Sequence, residues 1–163
     1  MYPQKNAIPR LGLLIIMLFV NFSFLIAQAL SSSNLPIIII NTNGQIIPDE
    51  PKITAHLGII DNGFGVRNYI TDSFNNYNGY IGIEKRGSSS LNWSRSSYNI
   101  ETCDSVGNQI KTSIMGMPAE SDWCLISQLT DKTLLRNFLA YSYSGMMGNY
   151  ATRVRHCEVI LRD

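Results

Sequence analysis

Four consecutive isoleucines, Ile37–Ile40, constrain the fold of this chain more than any other feature. They lie in the stretch "LPIIIINT", which is followed by Asn43-Gly44, a typical turn signal. Because successive side chains of a strand point to opposite faces, an uninterrupted apolar run needs cover on both faces. The run therefore predicts a strand in the interior of a sheet. The 163 residues are enough for one domain with a real core.

Other segments predict further strands around this one. "KITAHLGIIDN" and "SSYNIETCD" are strand-like, and a long loop with at most one short strand separates Gly63 from Gly79. "GYIGIEKRG" alternates, so that one face carries Tyr80, Gly82, Glu84 and Arg86 and the other carries Ile81, Ile83 and Lys85. We also expect a strand around residues 110–115, a buried segment around 123–126, and a last strand in "ATRVRHCEVILRD".

One helix is predicted after Thr130-Asp131, either of which can cap it through a side-chain oxygen. Apolar residues then follow helical spacing as far as Met146, and Gly148 is a plausible stop. Strands followed by a helix and a final strand indicate an α+β fold, with a mainly antiparallel sheet and one prominent helix.

The first 29 residues have the parts of a secretory signal peptide. Lys5 and Arg10 precede an apolar run, 11–26, and Ala27–Ala29 offers a cleavage site. The run is shorter than the roughly 20 residues that span a bilayer, so a retained anchor is the less favoured alternative. We expect residues 1–29 to be removed, 30–35 to be a linker and 36–163 to be the domain. The protein would then be exported, to the periplasm, the cell surface or the extracellular space, with a membrane as partner only if the segment is retained.

Charge and cysteine content limit the partners and the chemistry. The formal net charge is +1, and cleavage would remove two cations, so nothing favours nucleic acid as a partner. The chain has three cysteines, Cys103, Cys124 and Cys157, and no two of them form a CxxC pair. Neither histidine, His56 or His156, completes a metal-site pattern with them. One disulfide with a free thiol and three buried thiols are both compatible with the spacing, and burial is favoured because free cysteine is commonly buried.

The loop "KRGSSS" has the residue types that bind phosphate. Arg86 offers bidentate donors, Gly87 allows close backbone approach, and Ser88, Ser89 and Ser90 offer hydroxyls. The spacing matches neither the P-loop nor the glycine-rich kinase loop. Composition alone therefore favours an ordinary solvated turn.

Other candidates are weaker. No GxSxG elbow is present, so a hydrolase has little support. The acidic groups at 49–50 and 120–122 are more typical of solvated loops than of a cation site. Arg136, beside the apolar stripe of the helix, is either a surface residue or the partner of a buried carboxylate.

Several ordered stretches resemble the front half of the CotH family, the spore-coat-protein-H-like secreted kinases. They include "YNGYIGIEKRGSSS", "SYNIETCDSVGNQI" and "DWCLISQLTDKTLLRNFLAYSYSGMMG". The resemblance implies the N-terminal lobe of a protein-kinase-like fold, which uses ATP and magnesium to phosphorylate serines of a coat or surface protein. It also implies that the loop 86–90 lies over the nucleotide phosphates, with the helix packed behind it.

Two departures qualify what the resemblance implies. Relatives often carry two lysines where this chain has Arg95-Ser96, so Arg95 is expected to be only an auxiliary phosphate contact. The family's catalytic and metal-binding aspartates would lie beyond Asp163, so no catalytic or metal residue is assigned. We expect a truncated chain that is inactive alone. The alternative is a non-catalytic surface or adhesion module that keeps the fold.

Overall fold

The structure, a computed structural model, describes residues 29–92 and 94–162. The predicted signal peptide lies outside the described residues except for Ala29. The described part contains a 3-10 helix, Ser89–Asn92, and one α-helix, α1, Arg136–Met146. Its strands are β1 Ser32–Ser33, β2 Ile37–Asn41, β3 Ile53–Ile60, β4 Asn68–Tyr69, β5 Tyr77–Arg86, β6 Ser97–Cys103, β7 Asp122–Leu125 and β8 Glu158–Arg162.

Six of these strands form one sheet in the order β7-β6-β5-β3-β2-β8. Neighbouring strands are antiparallel except β2 and β8, which run parallel with Ile37 opposite Glu158. The two short strands β1 and β4 pair separately, so Ser32 and Ser33 of the predicted linker are hydrogen-bonded to residues 68–69. The α+β class is confirmed, and the sheet is mainly antiparallel as predicted.

Strand β2 is covered on both faces, as its sequence predicts. Ile38 and Ile40 belong to the main core, which includes Ala55, Leu57, Ile59, Ile81, Ile83, Ile100, Ile114 and Met115. Ile37 and Ile39 face the other way and form a second cluster with Ile60, against which Ile70, Phe74 and Ile160 pack. The interior position of the isoleucine run is therefore confirmed.

A glycine in β3, Gly58, allows the ring of Phe74 to pack on this second face of the sheet. Gly58 is buried, and a Cβ atom there would lie 2.5 Å from Cδ1 of Phe74 and closer still to two other ring atoms. The aromatic ring thus occupies space that any other residue at position 58 would fill.

The β5-β6-β7 part of the same face carries polar side chains instead. Cross-strand pairs join Gly82 with Glu101, Glu84 with Asn99, and Asn99 with Cys124. We call this surface the polar face, consisting of Glu84, Arg86, Asn99, Glu101, Asp122 and Cys124. The predicted alternation along β5 is confirmed, since Ile81 and Ile83 are fully buried on the opposite face.

The strand predicted around residues 110–115 is wrong. Only isolated bridges occur there, Cys103 with Gln109 and Thr112 with Glu120. Met115 and Gly116 both have positive φ, and the resulting turn places Ile114 and Met115 in the core. The Met115 N–H donates to Asn76 Oδ1 at 2.8 Å, so a side chain replaces a strand partner. Ile114 and Met115 are therefore apolar because the turn places their side chains in the core.

The helix also begins later than predicted. Leu134 has φ +57°, and α1 starts only at Arg136, with no side-chain cap from Leu135. Asp131 nevertheless satisfies the first turn, because its Oδ2 accepts from the Arg136 N–H at 2.9 Å across an intervening loop. The predicted stop is confirmed: α1 ends at Met146, and Gly148 follows with φ +84°.

Helix α1 lies on the outside of the described structure, with no buried residue. Leu134, Leu135, Phe138 and Leu139 remain more than a third exposed, so the apolar stripe is not part of the core. The expectation of a helix packed behind the 86–90 loop is therefore not met. Within the described ranges, no helix is long and apolar enough to cross a membrane.

The last strand is shorter than predicted. Residues 151–157 are not strand, and β8 is confined to Glu158–Arg162. His156 accordingly lies outside a strand, where its Nε2 is 3.0 Å from the Leu134 carbonyl oxygen and its ring lies 5.3 Å from that of Phe138.

Candidate functional site

The six residues predicted to contact phosphate lie in one hairpin connection between β5 and β6. Arg86 is the last residue of β5 and pairs with Ser97, the first of β6. The chain between them turns through Gly87, forms the 3-10 helix Ser89–Asn92, and returns through Arg95.

Glycine is required at the start of this connection. Gly87 has φ +138°, a backbone conformation that residues with a Cβ rarely adopt. A Cβ there would also collide with the Ser90 hydroxyl, which folds back over the glycine. The Leu91 N–H donates to the Ser88 carbonyl oxygen at 3.3 Å and closes the turn. Loop residues 86–89 are exposed and Ser90 is half-buried, so their polar groups are available to a ligand.

Arg86 is anchored on the polar face. Its Nη1 donates to Sγ of Cys124 on the edge strand β7, across the intervening strand β6. No carboxylate pairs with Arg86 in the part of the chain that the structure describes. The guanidinium therefore keeps its charge uncompensated at the mouth of the loop.

Arg95 and Ser96 lie on the returning arm. The side chain of Arg95 is exposed, and its carbonyl oxygen accepts from the Ser127 hydroxyl at 3.1 Å. The Ser127 N–H donates to Ser97 Oγ at 3.1 Å, so the arm is held to the segment that follows β7. Ser96 hydrogen-bonds to Tyr98, whose pKa is raised above its ordinary value chiefly by burial.

A second charged cluster on the same face was missed by sequence reasoning. Lys52 Nζ lies 2.7 Å from Glu101 Oε2, although Lys52 precedes β3 and Glu101 belongs to β6. Lys52 crosses β5 above Gly82, where an added Cβ would lie 3.3 Å from the lysine Cδ. The hydrogen bond between them lowers the pKa of Glu101 and raises that of Lys52. Gly82, an isolated glycine inside a strand, is the signal that could have indicated this close approach.

An open cleft of about 650 Å³ adjoins this ion pair, lined by Glu50, Pro51, Lys52, Glu84 and Glu101. Its acidic side chains outnumber the single lysine, so it does not favour an anionic ligand. The Arg86 loop is thus the better phosphate candidate of the two.

The remaining candidates have structural contacts. Arg136 is a surface residue, and its Nε also lies 3.6 Å from Oδ1 of Asp131, a residue only 6% exposed, so both interpretations of Arg136 hold. Hydrogen bonds, first from Thr133, lower the pKa of Asp131. His56 packs against the rings of Phe74 and Tyr80.

The described residues form neither a metal site nor a disulfide. In the described ranges no group of three or more His, Cys, Asp or Glu residues could hold a metal ion. All three cysteines are free thiols, which leaves no disulfide among them. The expectation that all are buried is correct for Cys103 and wrong for Cys124, which is exposed because β7 is an edge strand. Cys157 is half-buried, and the desolvation of its thiol raises its pKa to about 11.

Comparison with known proteins identifies one family. The family model described as CotH kinase protein matches residues 83–163, a span that begins in β5 and includes the loop, β6, β7, α1 and β8. No curated protein matches the chain, and no solved structure matches it. The resemblance of the "KRGSSS", "SYNIET" and "DKTLLRNF" motifs to the CotH family is therefore confirmed by a family match over residues 83–163.

Proposed function

We propose that residues 36–163 form the nucleotide-binding, N-terminal lobe of an exported atypical protein kinase. In the complete protein, this lobe would help to transfer phosphate from ATP to serines of a coat or surface protein. Arg86, Gly87, Ser88, Ser89 and Ser90 contact the phosphates in this proposal, and Arg95 is an auxiliary contact. The family match over residues 83–163 carries the proposal, because that span contains the whole loop.

The loop's geometry supports a phosphate contact. Gly87 is exposed at the end of β5, and the serines that follow offer hydroxyl donors. Arg86 keeps a free positive fork beside them, which suits bidentate hydrogen bonds to phosphate oxygens. Phosphoryl transfer depends mainly on positioning and on neutralising charge, so such a loop contributes by holding the nucleotide in place.

Magnesium is a different case. The described residues contain no cluster of side chains that fits a metal ion, so none of them is proposed as a magnesium ligand. What this lobe supplies is orientation of the phosphates and a fixed positive charge.

The experiment is a thermal and calorimetric titration of the natural full-length protein with MgATP. A ligand present at 100 times its Kd stabilises the native state by about 2.7 kcal/mol. We expect Gly87→Ala to weaken MgATP binding at least tenfold, which reduces that stabilisation to about 1.4 kcal/mol or less at the same concentration.

Gly107→Ala is the matched control. Gly107 also has positive φ, +92°, but it lies in the turn after β6, at the other end of that strand from the loop. Both substitutions strain the backbone, so comparing each variant with and without MgATP separates binding from folding. Equal MgATP responses in the two variants would contradict the loop assignment.

The alternative, a non-catalytic surface module, rests on Ser96 standing where relatives often carry lysine. It predicts that wild-type protein shows neither a melting shift with MgATP nor transfer of labelled phosphate to protein. Labelled transfer by the wild type would exclude it.

A further inference from the structure

A row of polar side chains crosses three strands of the polar face and ends at Arg86. The Arg86 guanidinium donates to Cys124 Sγ, and that sulfur lies 3.6 Å from Asn99 Oδ1. The Asn99 amide in turn donates to Glu84 Oε1 at 3.2 Å. Glu84, Asn99 and Cys124 are direct cross-strand neighbours on β5, β6 and β7, so sheet pairing fixes their positions.

The hydrogen bonds of this row all have the same direction. Arginine only donates, a thiol both accepts and donates weakly, an amide accepts through oxygen and donates through nitrogen, and a carboxylate only accepts. Each group therefore makes the hydrogen bonds that its chemistry allows when the row runs from Arg86 through Cys124 and Asn99 to Glu84. The row ends on Glu84, the acceptor that carries the negative charge. Any member replaced by an apolar residue would interrupt the row.

We propose that Cys124, Asn99 and Glu84 are positioning residues that hold the Arg86 guanidinium ready for phosphate. This inference rests on the proposed function of the loop. An exposed arginine side chain has many rotamers, and fixing one of them before binding reduces the entropy lost when the ligand arrives. Only Nη1 is used by the thiol contact, and arginine has five N–H donors, so donors are left for the ligand.

A thiol suits this position better than a carboxylate would. An acidic residue at 124 would form a direct ion pair with Arg86, and a phosphate would then have to displace it. Sulfur is a weak acceptor, so it orients the guanidinium and leaves its charge uncompensated. The carboxylate of Glu84 acts through the amide and the thiol, two links away from the arginine.

The test compares two substitutions at one position in the full-length protein. Cys124→Val keeps a similar size on the exposed edge strand and removes both hydrogen-bonding roles. Cys124→Ser keeps an acceptor and a donor and serves as the conservative rescue. Selective ¹⁵N labelling of arginine gives the order parameter of the Arg86 Nε–H bond, a readout independent of any nucleotide.

We expect the Arg86 order parameter to fall in Cys124→Val and to recover in Cys124→Ser. Affinity for inorganic tripolyphosphate, measured by calorimetry, should fall by about threefold to tenfold in Cys124→Val, the range expected for immobilising one flexible side chain. The tripolyphosphate affinity of Cys124→Ser should stay within about twofold of the wild-type affinity, because the serine hydroxyl still immobilises the Arg86 side chain. Adenosine, which lacks phosphate, should bind the two variants equally.

The outcomes separate this inference from the proposed function. An unchanged order parameter in Cys124→Val overturns the positioning role, and so does a lowered order parameter with unchanged tripolyphosphate affinity. In both cases MgATP binding by the wild type still supports the proposed function. If the wild type binds neither MgATP nor tripolyphosphate, the proposed function fails and the positioning role fails with it.

Discussion

Gly58→Ala tests how the second face of the sheet is covered. The new Cβ would lie 2.5 Å from Cδ1 of Phe74, whereas ordinary contact begins near 3.4 Å. The ring must therefore retreat by about 1 Å, which is overpacking of the kind that costs about 1–3 kcal/mol. Phe74 is half-buried, so it can move outward, but it then uncovers the cluster of Ile37, Ile39 and Ile60. We expect a cost of about 2 kcal/mol.

Urea denaturation followed by circular dichroism measures this cost. With an m-value of about 2 kcal/mol/M, the midpoint should fall by about 1 M. A double-mutant cycle then isolates the contact: in a Phe74→Ala background, Gly58→Ala should be neutral or stabilising by up to about 1 kcal/mol, since alanine loses less backbone entropy than glycine. The coupling between the two positions should thus be about 2–3 kcal/mol.

A second glycine provides the control. Gly145 lies inside α1, where an added Cβ would be no closer than 4.0 Å to Cβ of Ala151. Gly145→Ala should therefore stabilise by about 0.5–1 kcal/mol. If Gly58→Ala costs the same in both backgrounds, the clash with Phe74 is not its cause and the reasoning is refuted.

Two further predictions concern the ion pair and the thiols. The hydrogen bond from Lys52 lowers the pKa of Glu101. The pair therefore stabilises the fold fully at pH values above the ordinary glutamate pKa. That stabilisation is lost as the pH falls through the lowered pKa of Glu101. Both side chains are partly exposed, so Glu101→Gln should lower the free energy of unfolding by about 0.2–1 kcal/mol at pH 7. In acid, the unfolding free energies of the variant and the wild type should converge. An equal difference in unfolding free energy at both pH values would contradict this prediction. Iodoacetamide at pH 7.5 should alkylate Cys124 first, because burial raises the pKa of Cys157 to about 11 and also raises that of Cys103. Peptide mass spectrometry checks the order, and labelling of Cys157 before Cys124 would be the contrary result.

Local pattern was enough to predict most of the sheet. The isoleucine run, the alternation in "GYIGIEKRG" and the "SYNIET" segment gave strands with the correct faces, because a period of two is decided within each segment. The predicted phosphate loop falls in a single hairpin connection, since its residues are adjacent in sequence. Their role as phosphate contacts is still a prediction.

The features that sequence could not reveal depend on distant partners. Ile114 and Met115 look strand-like locally, yet a turn buries them with help from Asn76, which is 39 positions away from Met115. The Lys52–Glu101 pair joins residues 49 positions apart. The late start of α1 follows from the positive φ of Leu134, which a leucine would not be expected to adopt. No periodicity encodes these contacts.

The parallel pairing of β2 with β8 has a consequence for biosynthesis. β2 is among the first strands to emerge from the ribosome, whereas its outer neighbour is the last element of the described chain. Until β8 arrives, the isoleucine-rich edge of β2 presents unpaired N–H and C=O groups and β-branched side chains. Such edges recruit other strands and promote aggregation. The β2–β8 pairing joins residues that are far apart in sequence, and such non-local contacts slow folding. Before residues 158–162 pair with it, β2 is therefore the strand of this sheet at which pairing with another chain is most favoured.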